Sequence, residues 1–274
     1  MRIAITGGTG FVGRNLTTQL RASGHRVTVL ARTAPPGETD FIPYSLESGL
    51  APDRLSCFDA LIHAAWDFTA IDDRNVTGST RLFHAAKAAG IPRLLFVSSL
   101  SAFEGCRSIY GATKLAVEKQ SSALGVCAVR LGFVCDNSGG GLSGSLQKLA
   151  MLPLIPLPGG GNQNLFALMA EDLGPAFSEI LDRCDQNPIG VAHPAPVSLR
   201  KMMTIFAERK GRKAVFLPFP WRLLWLPLRI AEAAGLRLPF RSDSLISLMN
   251  QNPAPDFSAL RNLNIRMRPF ADEG

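Results

Sequence analysis

Tyr110 and Lys114 stand four residues apart in the run Tyr-Gly-Ala-Thr-Lys, with Ser98-Ser99 ahead of them in the chain. On a helix, residues at i and i+4 share one face, so this spacing sets an ammonium beside a phenol. A phenol with a pKa near 10 is a poor base at neutral pH, and a neighbouring cation favours its ionised form. Lowering it by about three units takes roughly 4 kcal/mol of differential interaction, at about 1.36 kcal/mol per unit. A serine hydroxyl at a strand end then holds a substrate oxygen while the phenol moves the proton. The chemistry open to such a set is proton transfer at an alcohol or carbonyl oxygen.

These groups need rigid elements to bring them together, and the flanking sequence alternates short β-branched runs with helical patterns, as parallel sheets do. Strands are predicted at Arg2–Thr6, Arg26–Ala31, Phe41–Leu46, Ala60–Ala65, Leu94–Ser98 and Val126–Val134. Helices are predicted over Val12–Ser23, Asn75–Ala89 (stopped by Gly90 and Pro92) and Ile109–Ser122, where Ser108 is placed to cap. Asn137–Gly144 and Pro153–Gly161 read as loops that leave the sheet. Asp172–Leu181 and Leu199–Lys210 read as later helices and Gly190–His193 as a late strand. The expected fold class is α/β, a doubly wound parallel Rossmann sheet with a small C-terminal substrate lobe. Residues 1–136 form its dinucleotide-binding core, rejoined by about 167–193, while 137–166 and 194–274 form the lobe.

The turn after the first strand runs Thr6-Gly7-Gly8-Thr9-Gly10-Phe11-Val12-Gly13. Glycines there permit positive φ and close backbone approach, so the N–H groups of the next helix face a pyrophosphate. A strand before and a helix after make it the turn of a nicotinamide dinucleotide site. At the end of the second strand, where a carboxylate would select NAD, the chain has Ala31 and then Arg32. A guanidinium there pairs with a 2′-phosphate, which favours NADP over NAD. Arg32 stacking on adenine or pointing to water stays open.

TGGTGFVG, IHAA, NVTGSTRLFHAAKAAG, FVSS and YGATKLAVEK together resemble the short-chain dehydrogenase/reductase superfamily, in its extended branch of nucleotide-sugar epimerases, dehydratases and reductases. The resemblance covers about residues 1–135. It implies a catalytic set of Ser99, Tyr110 and Lys114, with Ser98 and Ser101 as fallback serines. It implies a cofactor site of Gly7, Thr9, Gly10, Phe11, Val12 and Gly13 at the pyrophosphate, with Ala64, Ala65 and Asn75 near it. Tyr110 and Lys114 would reach the nicotinamide end, and Lys114 would hold the ribose. The chain also departs from the branch. Ser45-Leu46 stands where an aspartate usually meets adenine, and the segment from Ser99 to Tyr110 is short. Ser-Ser-Leu-Ser replaces a Thr-Asp-Glu signature, which disfavours a dehydratase and marks an atypical member.

Composition sets the outer bounds. Apolar residues make up 46% and charged residues 19%, enough for a buried core. No spanning helix or signal peptide is expected. Cys57, Cys106, Cys127, Cys135 and Cys184 show no ligand spacing, so reduced thiols, a cytoplasmic setting and no metal are expected. Residues 200–274 hold 13 Lys and Arg against 6 Asp and Glu, the whole of the formal +7. Within them Trp221, Trp225, Arg222, Arg229, Arg237 and Arg241 form an aromatic, basic segment. Its aromatics are expected to pack the lobe onto the sheet. Its arginines could meet a diphosphate, or the segment could rest on a membrane, a reading disfavoured because Pro218, Pro220 and Pro227 should break a long amphipathic helix.

The expected activity is NAD(P)-dependent oxidoreduction or epimerisation at a carbonyl/alcohol carbon, on a nucleotide-linked sugar. The expected partner is a small anionic substrate and no nucleic acid, with a homo-oligomer left open. The rival is a dinucleotide-binding regulatory or scaffold protein that turns nothing over. Reductase and epimerase are not separated.

Overall fold

The computed structural model describes residues 1–70, 73–136, 139–183, 188–236, 241–263 and 265–270. Its strands are β1 Arg2–Thr6, β2 Arg26–Ala31, β3 Phe41–Pro43, β4 Ala60–His63, β5 Arg93–Ser99, β6 Val126–Leu131, β7 Phe133–Cys135, β8 Ile155–Pro158, β9 Asn164–Leu165, β10 Ala167–Met169, β11 Ile189–Val191, β12 Val197–Ser198 and β13 Phe216–Phe219. The helices are α1 Phe11–Ala22, α2 Arg74–Ala88, α3 Ile109–Ser121, α4 Gly141–Leu149, α5 Leu173–Arg183, α6 Leu199–Glu208, α7 Trp221–Ala233, α8 Ser242–Met249 and α9 Ser258–Asn262.

Seven strands form one sheet in the order β11-β6-β5-β4-β1-β2-β3, with every neighbouring pair parallel. The order reverses between β1 and β4, so the crevice at their carboxyl ends is where this kind of sheet takes a ligand. Ile3, Ala4 and Ile5 of β1 are wholly buried because helices cover both faces. On one face Leu16 and Leu20 of α1 pack with Phe177 and Ile180 of α5. On the other, Leu82 and Phe83 of α2 pack with Val117 of α3. A third cluster joins Leu146 of α4, Ile155 and Leu157 of β8, Met202 and Phe206 of α6, and Leu248 of α8.

Several elements differ from the sequence reading. The run Val126–Val134 is two strands, because at Gly132 the chain turns from the main sheet to pair β7 with β10. The Gly132 N–H donates to the Val191 carbonyl, and a Cβ there would lie 2.3 Å from the Phe166 oxygen. Only glycine fits that crossing. Within the expected loops, Ile155–Pro158 pairs with Phe216–Phe219, and α4 begins at Gly141; Asn137 lies outside the described residues. The prolines do not prevent a helix at α7: Pro220 is its N-cap and Pro227 sits inside it, on the exposed side. There solvent satisfies the carbonyl that the missing N–H leaves free. Its tryptophans, Trp221 and Trp225, pack half-buried rather than fully buried. Among the described residues Cys57, Cys106, Cys127 and Cys135 are in no disulfide bond, while Cys184 and Arg237 lie outside the described residues. No helix among the described residues is long and apolar enough to cross a membrane.

Replacing Gly132 by alanine is expected to cost about 2 kcal/mol of stability through the overpacked crossing. A urea unfolding midpoint that falls at constant slope would agree. An unchanged midpoint would contradict the close approach at Phe166.

Candidate active site

The carboxyl ends of β1 and β4 are wired together by Thr6 and His63. The backbone N–H groups of Ala64 and Ala65 both donate to Thr6 Oγ1, at 3.1 Å each. With its lone pairs so used, the Thr6 hydroxyl donates to His63 Nδ1 at 2.7 Å. His63 then carries its proton on Nε2 and donates to Ser79 Oγ of α2 at 2.8 Å. The ring is wholly buried, near-parallel to Phe96 and edge-on to Phe83. Burial, with Lys114 as a lesser cause, pushes its pKa down to about 3, so it stays neutral. His63 therefore braces the crevice and moves no proton.

The turn between β1 and α1 lies against this brace. Gly7 has φ of 68°, its N–H donates to the Leu30 carbonyl, and a Cβ on it would sit 2.7 Å from Ala65 backbone. A Cβ on Gly13 would lie 2.2 Å from the Gly7 oxygen. Gly10 is the exposed N-cap of α1 and supplies no side-chain acceptor to the first-turn N–H groups. Those N–H groups, on Phe11, Val12 and Gly13, suit the oxygens of a pyrophosphate. Phe11 turns its ring toward Gly140 and Gly141, where an added Cβ would be 2.5 and 2.8 Å from it. Thr9 is exposed and Val12 half-buried. Arg32 is exposed beyond β2, with no hydrogen bond or ion pair to another described residue. The crevice thus fits a dinucleotide. Asn75 acts one step back: its side chain accepts from Asp67 N at 2.9 Å and donates to Asp67 O at 2.8 Å, pinning the loop after β4.

Ser99, Tyr110 and Lys114 come together at the carboxyl end of β5 and the start of α3. Ser108 caps that helix through Gly111 N. Ser99 lies near enough to Tyr110 to favour its ionised form, and Ser99 Oγ accepts from Ser101 N at 3.1 Å. The fallback serines are engaged elsewhere. Ser98 is buried and donates to Glu118, which also takes Arg130 at 2.6 Å. Ser101 pairs with Ser247 of α8 at 2.8 Å.

With no dinucleotide present, burial outweighs the help that the spacing predicts Tyr110 draws from Lys114. Its Nζ donates to the Val97 carbonyl at 2.7 Å and lies 3.8 Å from the centre of the Trp66 ring. The Tyr110 ring centre is 5.7 Å away. Trp66 and Phe68 pack against Tyr110, edge-on and stacked. Desolvation dominates both groups. It pushes Tyr110 up to about 12, opposed by the nearby Ser99 hydroxyl, and Lys114 down to about 7, opposed by Glu118. The lysine side chain alone cannot make this phenol a base.

Asp243 was not legible in the sequence. From the first turn of α8 its carboxylate accepts from Ile109 N at 2.8 Å and Tyr110 N at 2.9 Å. A carboxylate on the first N–H groups of α3 fixes where the tyrosine begins its reach. The bond spans 133 residues of chain, so no local spacing announces it. Trp66, directly after Ala65, had a nearer signal in its size and its place at the end of β4.

Residues 3–127 match the NAD dependent epimerase/dehydratase family. An uncharacterized protein of Mycobacterium tuberculosis is 28% identical over 228 residues, covering 80% of this chain and 24% of that protein. The chain thus spans about a quarter of that relative's length. The ceramide reductase of Caulobacter vibrioides is 33% identical over 169 residues, 57% of this chain and 53% of that enzyme. Two solved structures share the fold. The NAD dependent NDP-hexosamine 5,6-dehydratase TunA superposes with a TM-score of 0.68 at 21% identity, covering 80% of this chain and 85% of its own. MoeE5 in complex with UDP-glucose and NAD gives 0.67 at 23%, with the same coverage of 80% and 85%. With its crevice at the β1/β4 reversal and its match over residues 3–127, the first half of the chain is similar to the NAD dependent epimerase/dehydratase family, and the chain shares the fold of those two solved structures.

Proposed function

We propose that this chain is an NAD(P)-dependent oxidoreductase or epimerase acting at a carbonyl/alcohol carbon, with Ser99, Tyr110 and Lys114 as its catalytic residues. The observation that carries the reading is the meeting of Ser99, Tyr110 and Lys114 where β5 ends and α3 begins, at the carboxyl edge of the sheet that also carries the glycine turn. A dinucleotide bound there gives or takes a hydride. Gly7, Thr9, Gly10, Phe11, Val12 and Gly13 hold its pyrophosphate, and Ala64 and Ala65 line the crevice. Ser99 donates to the substrate oxygen, and Tyr110 passes a proton to or from it. Lys114, whose ammonium lies under Trp66, would hold the nicotinamide ribose. Asp243 and Asn75 are positioning residues, one for α3 and one for the loop that carries Trp66.

A nucleotide-linked sugar is the substrate class best supported, since MoeE5 holds UDP-glucose on the same fold. A carbonyl on a lipid is the second reading, favoured by the ceramide reductase likeness and by the exposed apolar side chains of α7. NADP is favoured over NAD because Arg32 is exposed beyond β2 with no acid beside it in sequence.

Tyr110→Phe is expected to lower turnover about 10²- to 10⁴-fold while dinucleotide binding persists. A variant that kept every activity of the parent would instead make the chain a dinucleotide-binding regulatory or scaffold protein. Arg32→Ala should weaken NADP about tenfold and leave NAD unchanged, as the loss of a charge-assisted bond predicts. Equal affinities of the parent chain for NADP and NAD, by titration calorimetry, would remove the preference. Asp243→Ala should lower kcat about tenfold at constant dinucleotide affinity by displacing the phenol, with partial recovery in Asp243→Asn. Full activity in Asp243→Ala would show that α3 needs no carboxylate to hold Tyr110.

A further inference from the structure

We infer that α7 is a docking face for an anionic membrane surface. The helix divides by its period. Trp221, Leu224, Trp225 and Leu228 recur at helical spacing and are half-buried against the rest of the chain. The opposite side presents Leu223, Leu226 and Ile230, which are 66%, 55% and 61% exposed. Their spacing of three and four residues makes them one stripe rather than scattered surface leucines. At about 100° per residue, Arg222 and Arg229 fall on one flank of that stripe, both exposed. The single acid of the helix, Glu232, is turned inward, where it accepts from Ser242 N at 2.8 Å and Ser242 Oγ at 2.6 Å and lies 3.9 Å from Arg229 and 3.7 Å from Arg241, so Arg222 is the less engaged of the two flanking arginines.

Charge selects the occupant. The outer side of α7 carries arginines and no carboxylate, and the C-terminal 75 residues hold the molecule's whole positive excess. A second copy meeting this face about a two-fold axis would bring like charges together. An anionic lipid surface offers both an apolar layer for the leucines and phosphates for the guanidiniums. Glu232 also ties α7 to the start of α8, and α8 carries Asp243 to the Tyr110 helix, so the docked face is linked to the site by hydrogen bonds. The docking stands apart from the reaction proposed above and is tested without turnover.

The experiment is flotation of the whole chain with vesicles of phosphatidylcholine and phosphatidylglycerol, against phosphatidylcholine alone. The expected result is flotation with the anionic vesicles only, weakened by salt. Leu226→Asp with Ile230→Asp should abolish it at an unchanged Tm, since both side chains are more than half exposed. Arg222→Ala with Arg229→Ala should weaken it about fivefold per arginine, the equivalent of about 1 kcal/mol each. No flotation of the parent chain would overturn the inference, as would flotation undiminished by the aspartate pair. Should that pair unfold the chain, undiminished flotation of the arginine pair would overturn it instead. A dimer seen by sedimentation velocity, dissolved by the aspartate pair and with no lipid bound, would assign the face to a second copy.

Discussion

Two ionisable groups stand side by side, Lys114 buried and Tyr110 half-buried, and each is pushed toward its neutral form. Tyr110 lies against Trp66 and Phe68, and Lys114 is sealed beneath Trp66 with its ammonium on the Val97 carbonyl. Burial raises the phenol to about 12 and lowers the amine to about 7. The gap between that phenol and neutral pH is wider than the one a free tyrosine faces. A site built this way is poor in charge until a ligand brings some. In the function proposed above, the positive charge of an oxidised nicotinamide would be the source that the side chains lack. Such dependence would keep the phenol inert until the reacting partners are assembled.

The scaffold serves that arrangement by joining elements that are distant in the chain. Thr6 and His63 lock the ends of β1 and β4 and, through Ser79, the second helix. Glu118 ties β5 to β6 by holding Ser98 and Arg130 together, which leaves Ser99 as the serine at the mouth of the site. Asp243 and Ser247 bring α8 onto the start of α3 and onto the loop after β5. A helix outside the main sheet therefore sets the position of the tyrosine.

The first half of the fold was legible because its signals are local. A glycine that needs positive φ at Gly7, a buried β-branched strand and a Tyr–Lys pair one helical turn apart each declare themselves within a few residues. What escaped was set by contacts across the fold. Gly132 looks like any strand glycine until Phe166 and Ala192 close on it. The prolines near Trp221 suggest a broken segment, yet one serves as an N-cap and another faces solvent. Lys114 is spaced to tune Tyr110, but the spacing says nothing of Trp66 arriving from β4 to cover the amine. Asp243 gives no sign of its role, since its partners are two backbone N–H groups with no sequence identity to read.

The most direct test is the titration of Tyr110 itself, by NMR of ring-labelled tyrosine, with and without saturating oxidised dinucleotide. The chain has only two tyrosines, Tyr44 and Tyr110, and Tyr44 is buried and pushed upward as well, so assignment needs one variant. The account predicts a Tyr110 midpoint near 12 in the free protein and a fall of several units when the oxidised form binds. A midpoint that stays put with the dinucleotide bound would contradict it.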